Sequence, residues 1–529
     1  MDKKGEVNLF TRPRRFGKTL NLSMLKYYFE KPIDNKSNQQ LFDGLKIMDA
    51  GEKYTKEQEK YPVIMLTLKS AKQPDFELAY AKIKETIARE YRRHEDILPG
   101  IKNEKMREKY IALRDETGDY GDYCTSLAFL SECLYEVHGE KTIILLDEYD
   151  VPLENAYYAD FYNQMVAFIR SLFESALKTN LYLEFAVITG CLRISKESIF
   201  TGLNNLEVIS ILNVDYDEYF GFVESEIREM LTFYQRENKM EVVREWYDGY
   251  RFGKAEVYNP WSVIKYVKAL YTDENAFPTA SWSNTSSNSI VKDLIYHANE
   301  EVREEIEQLI NGGTIEKKIH EDITYEDVHK SEDNLWNFLL FTGYLKVVNQ
   351  RMVEEDIYAT FCIPNLEIRG IYRNTISNWF REEIEVQDLT VLYRAMLDGK
   401  PDIFQQELIG QLVKCISYMD NKEAFYHGFL LGILANLNSY LVKSNREAGD
   451  GRYDICIYNH DETIPPVILE LKVSEKYKEM ESDAQKALDQ IEEKQYDAWL
   501  PDEGYTQSIR YGIAFYKKKC RIRMMRKEL

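Results

Sequence analysis

Arg12-Pro13-Arg14-Arg15-Phe16-Gly17-Lys18-Thr19 constrains this chain more than any other stretch. Before it, Glu6 to Thr11 reads as a buried strand; after it, Leu20 to Phe29 reads as a helix. Strand, loop, Gly-Lys-Thr, helix is the setting of a phosphate-binding P-loop. Main-chain N–H groups at the helix start would face the phosphates, helped by the positive end of the helix dipole. Lys18 would reach the β- and γ-phosphates, and the Thr19 hydroxyl would bind Mg²⁺. Position 12 departs from the pattern, which begins with Gly. The Arg12 side chain restricts the backbone there, so a differently shaped loop is expected. The plain alternative is a basic helix start with a chance Gly-Lys-Thr.

A second run complements the first. Ile143 to Leu146 is continuously apolar, as in a parallel strand buried on both faces, and it ends in Asp147-Glu148. Ligands bind outside the carboxyl ends of strands in open α/β sheets. Asp147 would hold Mg²⁺ as a Walker B Asp, and Glu148 would polarise the attacking water as general base. Leu183 to Gly190 reads as a third strand, with Thr189 at its end as a γ-phosphate or water contact. Arg193, on the next loop, is a candidate charge-stabilising arginine. Strand capping and a surface charge explain Thr189 and Arg193 equally well.

Near the C-terminus, Gly451 to Tyr458 and Pro466 to Val473 read as two strands linked by the turn residues of 459–465. Glu470 and Lys472, two apart, share a face, and Asp454 comes from the neighbouring strand. An Asp on one strand of a hairpin and Glu-x-Lys on the next is the plan of the PD-(D/E)xK nuclease core. Asp454 and Glu470 would hold Mg²⁺ through oxygen ligands, and Lys472 would orient or activate a water. Glu-x-Lys alone carries no weight, since Glu492-Glu493-Lys494 also fits it on a stretch that reads as helix. Flanking helices supply the context: Lys422 to Leu434, with Glu423 as an additional metal ligand and His427 as a helix-face histidine, and Asp483 to Tyr496, with Gln490 towards the site. Ile509 to Tyr516 reads as a further strand.

Together these stretches resemble one family, the predicted bacterial and archaeal AAA-ATPase-like proteins that carry a C-terminal PD-(D/E)xK nuclease-like domain. The resemblance also runs through Glu197 to Asn205, Trp246 to Gly253, Tyr258 to Trp261, Pro364-Asn365, Phe425 to Gly428 and Gly449 to Ile455, in that order along nearly the whole chain. In that family the Arg-rich loop is the usual Walker A form. The resemblance therefore implies a nucleotide site of Arg14, Arg15, Phe16, Gly17, Lys18 and Thr19, completed by Asp147, Thr189 and Arg193. It implies ATP and Mg²⁺ as cofactors. The family usually carries more sequence before the first strand, so a truncated or late-starting chain is expected. Tyr453 stands where the nuclease motif has Pro.

The 529 residues allow two to four domains. No apolar run reaches a membrane span, and the start has no signal-peptide pattern, so no membrane partner is expected. Seven scattered cysteines without a C-x-x-C argue for a reducing cytoplasm and against a disulfide frame or zinc site. A net charge of −21 argues against a simple nucleic-acid binder. The basic run Lys517 to Lys527 reads as a local nucleic-acid patch or as a solvated tail. The expected fold is multidomain α/β: a P-loop parallel sheet to about residue 212, a mostly helical lid over 213–320, a winged-helix-like or small connecting module over 321–385, and a restriction-endonuclease-like α/β domain over 386–529. The expected function is ATP binding and hydrolysis coupled to a metal-dependent nuclease acting on nucleic acid, DNA favoured, in a protein that self-associates. The alternative is a nucleotide-driven regulatory switch whose C-terminal domain binds without cutting. A helicase or translocase ranks lower, because no helicase motif series is present.

Overall fold

Val7–Thr11, buried along its whole length, forms β1 where the apolar pattern predicts a strand. The computed structural model describes residues 6–33, 36–193, 199–200, 203–282, 299–321, 325, 328, 331–372, 389–415, 423–434, 437, 440–448 and 451–529. It divides into two units, Met1–Thr285 with Thr314–Gly370, and Ser286–Gly313 with Ile371–Leu529. The protein is α/β in both.

In the first unit, β1 joins β2 (Val63–Thr67), β3 (Thr142–Asp147), β4 (Leu183–Gly190) and β5 (Leu206–Ile209) in the order β2-β3-β4-β1-β5. Every pairing is parallel. Helices cover both faces of such a sheet, so its central strands are apolar throughout rather than alternating. The register aligns the carboxyl ends: Thr11 lies beside Gly190, and Thr67 beside Asp147. The helix Lys18–Phe29 starts at that edge, directly after β1.

The stretch read as mostly helical contains more than helix. Its first helix is Glu224–Phe233. Gly221, at φ 118°, takes a backbone conformation no helix continues through. Helices Met240–Tyr247 and Pro260–Thr272 pack with it around Ile227, Val243 and Val267. Between them, Tyr250–Phe252 (β6) and Ala255–Val257 (β7) form a hairpin, with Tyr250 and Phe252 buried and Arg251 exposed, a period of two too short to read in the sequence. Next come Ile315–Lys318 (β8), the helix Glu332–Phe341, Lys346–Val353 (β9) and Asp356–Cys362 (β10), an antiparallel sheet in the order β8-β10-β9.

The second unit holds helices Thr390–Leu397, Pro401–Cys415 and Glu423–Leu434 on one face of a mixed sheet. Its strands are Leu441–Ala448 (β11), Gly451–Tyr458 (β12), Val467–Val473 (β13), Gln507–Tyr516 (β14) and Lys519–Glu528 (β15), in chain order. Only β13 and β14 are parallel, so their connection must cross over, and the helix Met480–Glu493 does so on the other face. The C-terminal basic run is β15, not a tail. Buried Cys520 and Ile522 alternate with exposed Lys519, Arg521 and Arg523. Arg521 and Arg523 both pair with Glu481 of the crossover helix, and Lys527 with Glu492 at 3.6 Å.

That helix sits directly on Gly512 of β14. A Cβ there would stand 2.1 Å from the Ala484 carbonyl oxygen and 2.4 Å from the Leu488 nitrogen, both main chain. Gly512→Ala is therefore expected to lose about 3 kcal/mol or more of stability, seen as a lower denaturation midpoint. Gly410→Ala, which meets nothing within 4 Å in its helix, should be neutral or stabilising.

Candidate functional site

Gly17 ends the loop after β1 at φ 77°, a left-handed conformation open to Gly, and caps the Lys18 helix through its main chain. Arg15 also takes a positive φ, 68°. The helix start has no side-chain cap and no acid in its first turn, so its N–H groups are suited to an anion. The Lys18 ammonium is buried and donates to the Arg12 and Pro13 carbonyl oxygens, each at 2.9 Å, with the Cys191 sulfur at 3.6 Å. Burial pushes the Cys191 thiol up to about 11, so Lys18 faces a thiol rather than a thiolate. The loop thus curls around its own lysine.

Asp147 gathers the site. Its carboxylate, 1% exposed, accepts from the Thr19 hydroxyl at 2.7 Å and from the Thr189 hydroxyl at 2.8 Å, one on each oxygen. Three motif residues from the loop helix, β3 and β4 therefore meet at one point. Glu148 follows at φ 52°, a strained conformation for a residue with a side chain. Burial raises its carboxyl above the ordinary range; Lys18 opposes that, and the charges of Asp147 and Asp150 add to it. Asp150, to which the sequence reading gave no role, is 2% exposed and accepts from the Cys191 N–H at 2.6 Å and the Leu192 N–H at 3.3 Å, holding the loop that follows Thr189. The one signal for it in the sequence is an acid shortly after the strand end.

The other residues of the predicted nucleotide set point elsewhere. The Phe16 ring is fully buried between Tyr250 and Phe252, which leaves only its main chain for a ligand. Arg14 pairs with Glu154. Arg15 donates to the Ser281 carbonyl at 2.6 Å and lies over the Trp261 ring. Arg193 forms an ion pair with Glu321 at 3.7 Å. Arg12, at the position where the pattern has Gly, has no exposure. It donates to the carbonyls of Thr11 and Ile209 at 2.9 Å and Tyr216 at 3.4 Å, and sits over Phe220 and Phe252. Its side chain anchors the loop to Ile209 and Tyr216.

In the second unit, the strands β12 and β13 pair from Ile455–Leu469 to Ile457–Val467 and then part, and the acids stand at the parting. Asp454 accepts from the Leu471 N–H at 2.8 Å, and its own N–H donates to Glu470 at 3.4 Å. The His427 ring meets the Asp454 carbonyl at 3.0 Å, which makes it a helix-to-strand link. Gln490 joins the motif: its amide NH₂ donates to Glu470, and its carbonyl accepts from Lys472 at 2.8 Å. Glu470 is 4% exposed. Glu423 opens its helix, but its side chain lies outside the described residues. Among the described residues no group of three or more His, Cys, Asp or Glu is arranged to hold a metal. Asp454 and Glu470 supply two carboxylates, the oxygen donors a hard divalent cation takes.

Residues 1–200 match the model of the predicted AAA-ATPase family, and residues 421–525 that of the PD-(D/E)XK nuclease superfamily. The chain joins an ATPase-like domain to a nuclease-like domain. A protein of Azotobacter chroococcum mcd 1, described as an uncharacterized protein in the vnfD 5' region, is 25% identical over 293 residues, which is 55% of this chain and 50% of that protein. The alignment thus spans half the length of that relative. No described helix is long and apolar enough to cross a membrane.

Thr189→Val keeps the shape of β4 but leaves one oxygen of the buried Asp147 carboxylate without its hydroxyl. A loss of about 1–3 kcal/mol is expected in chemical denaturation.

Proposed function

We propose that the protein binds and hydrolyses ATP with Mg²⁺ in its first unit and cuts nucleic acid with a divalent metal in its second. The observation that carries the reading is the meeting of Thr19, Asp147 and Thr189 beside Lys18, paralleled by the Asp454, Glu470, Gln490 and Lys472 cluster. Lys18 would exchange the loop carbonyls for phosphate oxygens, and the main chain of Arg14 to Thr19 would hold the phosphates. Thr19 and Asp147 would hold Mg²⁺, which neutralises phosphate charge. Glu148, whose burial favours taking up a proton, would accept it from the attacking water, with Thr189 orienting that water. Arg193 would serve the developing charge after leaving Glu321.

In the second unit, Asp454 and Glu470, with Glu423, would hold the metal, which lowers the pKa of a bound water and stabilises a departing oxygen. Lys472, steered by Gln490, would orient the water. The proposal includes the division at about residues 212, 320 and 385, DNA as the favoured nucleic acid, self-association and a cytoplasmic setting. The last agrees with the free thiols of Cys124, Cys133, Cys191, Cys362, Cys456 and Cys520. Tyr453 at the motif's Pro position keeps a second reading in play, a nucleotide-driven switch that binds without cutting.

The test uses the whole protein on single- and double-stranded DNA and RNA, with Mg²⁺ or Mn²⁺, with and without ATP. Lys18→Ala is expected to abolish nucleotide binding, and Glu148→Gln to slow turnover by roughly 100-fold or more. Glu470→Ala should remove cutting and leave ATP turnover in place. ATP turnover with no cutting of any substrate supports the switch; no turnover in the wild type overturns the whole reading. Because the Glu148 carboxyl is raised, its base form is lost as pH falls through a value above the ordinary glutamate range, and the acid limb of the turnover profile should lie there.

A further inference from the structure

The sheet edge that bears Asp147 has a second feature, one strand away. A recess of about 570 Å³ lies between the end of β2 and the helix Phe76–Arg93, lined by Thr67, Lys69, Ser70 and Gln73 on one side and Lys82, Glu85, Thr86 and Arg89 on the other. Every lining residue is polar. On the helix, positions 82, 85, 86 and 89 share a face by their spacing of three and four. The opposite face, with Ile83, Ile87 and Glu90 buried, packs on the sheet.

The two walls are held in fixed relation. Glu90 accepts from the Met65 N–H of β2 at 2.8 Å, and Arg93 donates to the Val63 carbonyl at 2.6 Å. The Ser70 and Thr86 hydroxyls meet across the recess at 3.4 Å. One carboxylate, Glu85, is shared by Lys82 at 2.9 Å and Arg89 at 3.1 Å, and Lys69 adds a third cation. The Thr86 hydroxyl donates to the Lys82 carbonyl at 2.8 Å and the Gln73 amide to the Ser70 carbonyl at 3.3 Å, while Lys69 also feels the Glu148 carboxylate, so the three cations are the main ligand groups of the recess in a chain whose net charge is −21. The volume is in the range of ligand sites, and the alkyl stems of these polar side chains form much of its wall.

The recess also lies at the carboxyl edge of the sheet. Thr67 is in register with Asp147, and the Leu68 N–H donates to the Asp147 carbonyl at 3.0 Å. The recess therefore lies at the end of the strand next to the one that ends in Asp147, at the edge where α/β sheets bind ligands.

We propose that this recess is a second anion site, separate from the P-loop, that takes a ligand bearing adjacent phosphoryl groups. Lys69, Lys82 and Arg89 supply the charge, and Thr67 and Ser70 the hydroxyl donors. Glu85 tunes the site downward by occupying two of its cations. The proposal does not depend on nucleotide binding at Lys18.

The experiment titrates pyrophosphate into the full chain carrying Lys18→Ala, by calorimetry at low ionic strength. Saturable binding is expected. Lys82→Ala with Arg89→Ala should weaken it on the order of tenfold per cation. Glu85→Gln should tighten it, a gain that misfolding does not mimic. A short oligonucleotide that displaces pyrophosphate assigns the phosphates to a nucleic-acid backbone, and retention of pyrophosphate against it assigns them to a free phosphoanhydride; both support the site. No binding, or an affinity indifferent to all three substitutions, overturns it.

Discussion

Burying the Asp147 carboxylate at 1% exposure requires a donor for each oxygen, and the chain supplies them from two different elements, Thr19 after β1 and Thr189 at the end of β4. That requirement ties the loop, β3 and β4 into one arrangement. A carboxylate without those hydroxyls would carry a desolvation cost of several kcal/mol. The main-chain geometry around it follows: β3 ends at Asp147, Glu148 turns to a positive φ, and Asp150 comes back to hold the loop after β4.

The loop itself is held from behind by side chains that the motif pattern does not ask for. Arg12 and Phe16 bury into aromatic groups contributed by residues 216–252, while Arg15 reaches Ser281 and Trp261. Besides the positive φ of Gly17, the loop takes its shape from a buried guanidinium that gives three hydrogen bonds to main-chain carbonyls. Burial lowers the Arg12 pKa to about 10, still well above neutral pH, so it stays charged and must remain hydrogen-bonded. The second unit solves a related problem with an amide. Gln490 donates to a buried carboxylate and accepts from an ammonium, so Glu470 and Lys472 share a neighbour.

Much of this was legible without coordinates because it depends on local pattern. A continuous apolar run ending in acids marked β3, turn residues before Pro466 marked β13, Gly-Lys-Thr marked a helix start, and Glu-x-Lys fell on one face because a strand repeats every two residues. The hairpin β6–β7 was not legible, since three-residue strands leave too little periodicity. Nor was β15: a run dense in Lys and Arg reads as solvated until its alternate residues, Cys520 and Ile522, are seen buried on the sheet. Arg14, Arg15 and Arg193 looked alike as candidate phosphate contacts, and only their partners Glu154, Ser281 and Glu321 tell them apart.

The sequence by itself determined the α/β character of the chain, the strand that ends in Asp147, the two neighbouring strands that carry Asp454 and Glu470, and the helix after Gly17, because hydrophobic periodicity and turn chemistry are read over a few neighbouring residues. Tertiary structure alone decided that Thr19 and Thr189, 170 residues apart, share one carboxylate, that Gln490 joins Glu470 to Lys472, and that Lys69 and Arg89 face one recess. Those are contacts between elements brought together by burial, and a one-dimensional pattern holds no record of which buried polar group will find which donor.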